Sequence, residues 1–266
     1  MNVLEAQGLT VKRGGVSVVS GVDLIAKEGL VLGLIGPNGA GKTSLLRALC
    51  RLETAAEGQI KLAGVPINSL DRVQLAKTVA YCAQGSTCHW PLLVKSLVSL
   101  GRIPHLTPRH GTGLKDRDII NRALHETDTA HLSSRAVDTL SGGELARALL
   151  ARALAVEASV LLADEPIASL DPRYQLQIMT ILRNRARAGT AVICVLHDLS
   201  LAARFCDFLV LMHGGRIHSK GTPDAVLVEN NLANTFGIHA VTGRFQEELY
   251  LIPWGQVPGS NFDEGG

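Results

Sequence analysis

Residues 1–30 alternate apolar and polar side chains, the period of a half-buried strand, with Gly14-Gly15 as a tight turn. Val16-Ser17-Val18-Val19 and Val22-Asp23-Leu24-Ile25 read as strands of a curled antiparallel sheet. The alternation then gives way to a solid apolar run at 30–35, the pattern of a buried strand. From Lys42 the period turns helical: Leu45, Leu46, Leu49 and Leu52 are expected on one face of a helix over 42–51. Further short strands are expected at 79–83, 160–163 and 191–196. Helices are expected at 116–127, at 172–187, and from Ser141 to about Val156, where Leu145, Leu149 and Ala153 share a face. Strand–helix–strand order of this kind implies a parallel sheet.

Residues 87–139 break that rhythm. Histidine- and proline-bearing stretches at 88–91 and 102–110 flank a short helical segment, and the region reads as an inserted helical lobe. The chain after Gly221 is mixed, and 255–266 is expected to fray. The predicted division is a core of 1–86 and 141–245, a helical subdomain of 87–140 and a C-terminal tail of 246–266.

Composition narrows the class. The chain has 266 residues, 46% hydrophobic but only 4% aromatic, so its core is aliphatic. A net charge of +2 gives no argument for nucleic acid or a membrane surface. Residues 1–10 lack a basic region followed by an apolar stretch, so no secretory signal is expected. No run of 18 apolar residues exists that would span a bilayer. The cysteines Cys50, Cys82, Cys88, Cys194 and Cys206 are odd in number and form no C-x-x-C pair. They read as free thiols in a reducing compartment.

The chemistry is concentrated in short motifs. Gly36-Pro37-Asn38-Gly39-Ala40-Gly41-Lys42-Thr43, followed by Ser44, fits G-x-x-x-x-G-K-[ST] between a strand and a helix. Glycines let the backbone wrap phosphate oxygens, and the helix start adds its positive dipole end. Lys42 would reach the β- and γ-phosphates and Thr43 would ligate Mg²⁺. Val160-Leu161-Leu162-Ala163-Asp164-Glu165 is an apolar strand ending in two carboxylates. Asp164 suits Mg²⁺, and Glu165 suits an attacking water. Pro166 forces a sharp exit after them.

Ser141-Gly142-Gly143 opens a second helix with bare amides, an anion-binding end that a single chain holding one nucleotide does not need. It points to a nucleotide held by another copy. The same residues, with Glu144, also fit a plain capping box. Gln84 and His197 each follow a strand. Both are placed at the sheet edge where open α/β folds bind ligands. Gln84 is a candidate for Mg²⁺ or water, and His197 for the γ-phosphate. The remaining histidines show no metal-ligand spacing. His105 and His110, five apart, read as solvated loop residues rather than metal or haem ligands.

Taken in order, these residues resemble the ATP-binding subunit of ABC transporters over nearly the whole chain. The resemblance covers the Walker A loop at 36–43, Gln84 as the Q-loop, the signature at 140–144, Walker B at 160–165, the D-loop Ser169-Leu170-Asp171 and the switch histidine His197. It implies a P-loop NTPase core, with a mixed sheet plus antiparallel β subdomain, carrying an inserted α-helical subdomain. It also implies a head-to-tail homodimer sandwiching two ATP and Mg²⁺. Each Walker A loop would face the other copy's Ser141, Gly142, Gly143 and Asp171, and Glu165 would be the catalytic base. Integral-membrane permease subunits would contact Gln84 and the 87–140 lobe, with a substrate-binding protein engaged indirectly and no nucleic acid. The chain would sit peripherally on the cytoplasmic face of the inner membrane.

Leu100-Gly101-Arg102-Ile103-Pro104-His105-Leu106, residues 197–204 and Gly221-Thr222-Pro223 are similar to the importer branch for ferric siderophores, haem and cobalamin. Arg13 stands where the family usually places an aromatic residue to stack on adenine, a role a guanidinium plane can fill. Ile167 replaces the usual Thr, with little consequence expected. The rival reading is a non-transport ATPase of this fold acting on nucleic acid or ribosomes. Such proteins usually carry coiled coils, zinc modules or two cassettes.

Overall fold

The computed structural model describes residues 1–85, 91–106 and 113–257. Strands β1 (Asn2–Arg13) and β2 (Val16–Lys27) form a long hairpin, and β3 (Val31–Ile35) leads to helix α1 (Lys42–Leu49). Next come β4 (Glu57–Leu62), β5 (Val65–Pro66), α2 (Arg72–Thr78) and β6 (Val79–Cys82). A helical stretch follows: α3 (Val94–Ser99), a 3-10 turn Leu100–His105, α4 (Leu114–Glu126) and α5 (Gly142–Leu154). The chain then runs through β7 (Val160–Asp164), α6 (Pro172–Arg187), β8 (Ala191–Val195), α7 (Leu199–Phe205), β9 (Phe208–His213) and β10 (Arg216–Gly221). It closes with α8 (Pro223–Val226), α9 (Glu229–Phe236) and the hairpin β11 (Ile238–Phe245)–β12 (Glu248–Gln256).

The central sheet has the order β10-β9-β3-β8-β7-β6, parallel except for β10. Strands β3, β7 and β8 are buried at every position. That is why they read as unbroken apolar runs rather than alternating ones. A second, antiparallel sheet of order β2-β1-β4-β5 packs through an apolar cluster that includes Leu4, Leu9, Leu34, Leu45 and Leu162. The cluster on the other side of the central sheet joins α3–α7. The register sets the site. Cys82 lies beside Ala163, and Asp164 beside Val195, so the residues just past these strands share one edge.

Four expectations need correction. The two strands expected at 16–19 and 22–25 are one strand, β2, with irregular register around Gly21. Helix α1 ends at Leu49, because Arg51 takes a left-handed backbone (φ 58°). Leu52 is therefore 56% exposed, while Leu45, Leu46 and Leu49 are fully buried. Residues 238–256 form a hairpin. β12 pairs with β11, and Leu251 is buried in the main core. Gly255 and Gln256 lie in that strand rather than fraying, and 258–266 fall outside the described residues. Finally, His105 is not a free loop histidine, since its Nε2 lies 2.9 Å from the Val156 carbonyl. His110 and the stretch 86–90 lie outside the described residues.

Candidate active site

The glycine loop joins β3 to α1 under steric constraint. At Gly36 (φ 145°) a Cβ would lie 2.2 Å from the Met212 carbonyl oxygen, and at Gly41 (φ 90°) 2.3 Å from that of Val18. No side chain fits at either position, so the loop stays wrapped against β9 and β2. α1 begins at Gly41 with no side-chain cap, leaving its first-turn amides open. The Lys42 ammonium is buried and donates to the carbonyls of Gly36 (2.7 Å) and Pro37 (2.8 Å). Burial lowers its pKa, opposed by Glu165 and Asp164. A buried cation held on backbone carbonyls beside the open amides of a helix start suits an anion. The cleft above it, about 260 Å³, is lined by Arg13, Val18, Asn38, Gly39, Ala40, Gly41, Lys42, Thr43, Ser44 and Glu165.

Asp164 ends β7, 1% exposed. Its carboxylate accepts from the Thr43 hydroxyl (3.1 Å) and the Tyr81 hydroxyl (2.9 Å). Burial pushes its pKa up, those two hydrogen bonds pull it down, and Glu165 adds to the rise. A buried carboxylate hydrogen-bonded to the Thr43 hydroxyl is a donor set that suits a hard dication such as Mg²⁺. Among the described residues no cluster of three His, Cys, Asp or Glu could hold a metal. The remaining ligands of such an ion would come from water and phosphate.

Glu165 has a left-handed backbone (φ 48°), which costs a residue bearing a Cβ roughly 1–3 kcal/mol. That turn aims its carboxylate along the strand edge. There it meets Gln84 Nε2 (2.5 Å) past β6 and His197 Nε2 (2.5 Å) past β8. The Gln84 amide thus lies on the Glu165 carboxylate. The register explains this: β6 neighbours β7, and Gln84 overhangs the residue after Asp164.

The structure brings together 36–44, Gln84, Asp164, Glu165 and His197. It does not bring Ser141, Gly142 or Gly143 to that cleft, and Asp171 does not line it either. Ser141 is exposed and caps α5. Its Oγ accepts from the Glu144 amide (3.3 Å), and its own amide donates to the Glu144 carboxylate (2.8 Å). The capping box therefore forms, and Ser141 still faces solvent. Asp171 caps α6 with no side-chain hydrogen bond. Arg13 lines the cleft but its guanidinium is paired with Glu53, which also meets Arg47 at 3.5 Å. Sequence reasoning passed over Tyr81 and Glu53. A tyrosine inside a buried strand, whose hydroxyl must find a partner, was the available signal for the first.

The ABC transporter family matches residues 19–168. The hemin import ATP-binding protein HmuV of Pseudomonas fluorescens is 42% identical over 250 residues, covering 92% of this chain and 96% of that one. The cobalamin import ATP-binding protein BtuD of Halobacterium salinarum is 39% identical over 241 residues, covering 90% and 60%. An inward-facing ABC transporter shares the fold at TM-score 0.82 and 21% identity, over 96% of this chain and 98% of that one. A dimeric bacterial ABC transporter cassette superposes at TM-score 0.74 with 25% identity, over 83% and 98%. The wrapped glycine loop, the Thr43–Asp164 pair and the strand-edge carboxylate together with these likenesses place the chain in the ABC transporter family, as an ATP-binding subunit that hydrolyses ATP.

Proposed function

We propose that this chain powers an importer of an iron chelate, such as haem, or of cobalamin, as a homodimer docked on membrane permeases. The observation that carries the catalytic part is Glu165, held between Gln84 and His197 at the edge of three neighbouring strands. A carboxylate in that place accepts a proton from a water attacking the γ-phosphorus in line, while the bond to the bridging oxygen breaks and ADP leaves. His197 reaches the same γ-phosphate, and Gln84 reports on Glu165 from the start of the helical lobe. Mg²⁺ on Thr43 and Asp164 would neutralise phosphate charge. Lys42 would exchange the carbonyls of Gly36 and Pro37 for phosphate oxygens. Ser141, Gly142, Gly143 and Asp171 would act on the nucleotide of the second copy, and Arg13 would stack on adenine.

The cargo class is supported by the names of the relatives and by the segment 100–106. No helix among the described residues is long and apolar enough to cross a membrane. The lobe of 87–140 and the exposed Gln84 are the surface offered to it, on the cytoplasmic face. A groove of about 440 Å³ lined by Arg51, the exposed Leu52, Arg72 and Leu75 suits a short helix. Expression with its chromosomal neighbours tests the proposal. The expected result is co-purification with a polytopic membrane protein and ATP hydrolysis stimulated by haem, siderophore or cobalamin on its binding protein. Salt-sensitive binding to nucleic acid with no membrane partner would overturn it.

A further inference from the structure

The starts of α5 and α6 meet at one aromatic ring. Tyr174 lies in the first turn of α6, its amide donating to the Asp171 carbonyl at 2.9 Å. Its ring presses on the backbone of α5. A Cβ at Gly143 would come within 2.9 Å of Cδ2 and 3.2 Å of Cε2, so glycine is the residue that leaves room for the ring. One turn further along α5, the Arg147 guanidinium carbon stands 4.8 Å from the ring centroid. That arginine is itself fixed. It is 3% exposed and donates to the Asp128 carbonyl at 2.9 Å and the Asp128 carboxylate at 3.1 Å, just beyond α4. The ring is thus held by the α5 backbone and by a guanidinium anchored to the helical lobe, while its own backbone carries the loop of Asp171.

We infer that Tyr174 is a positioning residue: its ring, wedged on Gly143 and Arg147, fixes the Ser141–Gly143 helix tip relative to Asp171, so that both are presented together to the nucleotide of a second copy. The inference rests on the reading that these two elements act in trans. Its physical basis is preorganisation. Elements already fixed relative to one another lose less freedom when the two copies close, and that saving appears as tighter pairing. A ring that accepts a cation on its face without needing its hydroxyl predicts that phenylalanine will serve and alanine will not.

The test uses the full chain carrying Glu165→Gln, with ATP-driven pairing followed by light scattering and nucleotide affinity measured on dilute, unpaired protein. Tyr174→Ala should weaken pairing by about tenfold, within the range of a partly buried cation–π contact plus lost packing. Tyr174→Phe should pair within about twofold of the parent, and unpaired nucleotide affinity should stay within about twofold for both. Parental pairing in Tyr174→Ala overturns the inference. So does equal weakening in Tyr174→Phe, or a matching loss of unpaired nucleotide affinity, which would mark a general packing role. If Glu165→Gln alone fails to pair, the reading in trans falls and this inference falls with it, a result distinct from failure confined to the Tyr174 variants.

Discussion

A glycine stands just before α1 and another opens α5, yet the two starts are finished in opposite ways. α1 starts at Gly41 without a cap, and its lysine is folded onto the loop carbonyls at 2.7 and 2.8 Å. α5 starts with a complete capping box, in which Ser141 and Glu144 satisfy each other's amides. The first start is incomplete inside its own chain, since its open amides and desolvated ammonium call for phosphate. The second has its end amides satisfied within the chain and leaves Ser141 exposed. In the proposed function the first is an anion site used in cis, built by leaving donors unmet, and the second is used in trans and survives in water until it is met.

The largest expected effect lies at the strand-edge carboxylate that lines the cleft of the first start. Glu165→Gln should lower kcat by about 10²–10⁴-fold while ATP-driven pairing persists, measured by phosphate release and light scattering. Full turnover would remove Glu165 from the role of base. Next, Lys42→Ala should weaken nucleotide affinity of unpaired protein by about 10–100-fold, as expected for one charge-assisted contact. Ser141→Ala should leave that affinity within about twofold and instead reduce pairing and kcat, with about 1 kcal/mol lost from the cap. If Ser141→Ala and Lys42→Ala weakened nucleotide binding alike, the contrast between the two helix starts would collapse.

A smaller effect sharpens the electrostatics. Burial raises the Asp164 pKa in the folded chain. A raised folded value means the native state takes up the proton more readily than the unfolded one. The stability this contributes is full below about pH 3.9 and is lost as pH rises through the folded value. Asp164→Asn should therefore melt above the wild-type chain at neutral pH without nucleotide, and the gap should close on acidification. A gap that stays constant with pH would show that the carboxylate carries no uncompensated charge. Smallest of all, Tyr81→Phe should exaggerate that pH dependence by removing a hydrogen bond to Asp164 at 2.9 Å, read from the same melting curves.

The order of elements and the motif residues were legible in the sequence, because buried parallel strands and phosphate loops leave local marks. The fully apolar runs of β3, β7 and β8 and the glycines at 36 and 41 could hardly read otherwise. Where local marks compete, reading failed. The leucine spacing carries the expected α1 on to 51, while the chain turns at Arg51, whose guanidinium donates to the Ile67 and Leu70 carbonyls. The hairpin of β11 and β12 is absent from the expected elements because its mark is short: only the alternate pairs Ile238 and Ala240, and Leu249 and Leu251, pack on the main core.

By itself the chain determined its family, the strand–loop–helix that cradles a phosphate, and which carboxylates end which strand. These are matters of residue type and short spacing. Only the tertiary structure decided that Glu165 is gripped by Gln84 and His197, that Arg13 is held by Glu53, and that Tyr174 lies on Gly143. Those partners are separated by tens of residues along the chain. Strand register and helix packing bring them within hydrogen-bond and van der Waals reach, and no local pattern encodes that.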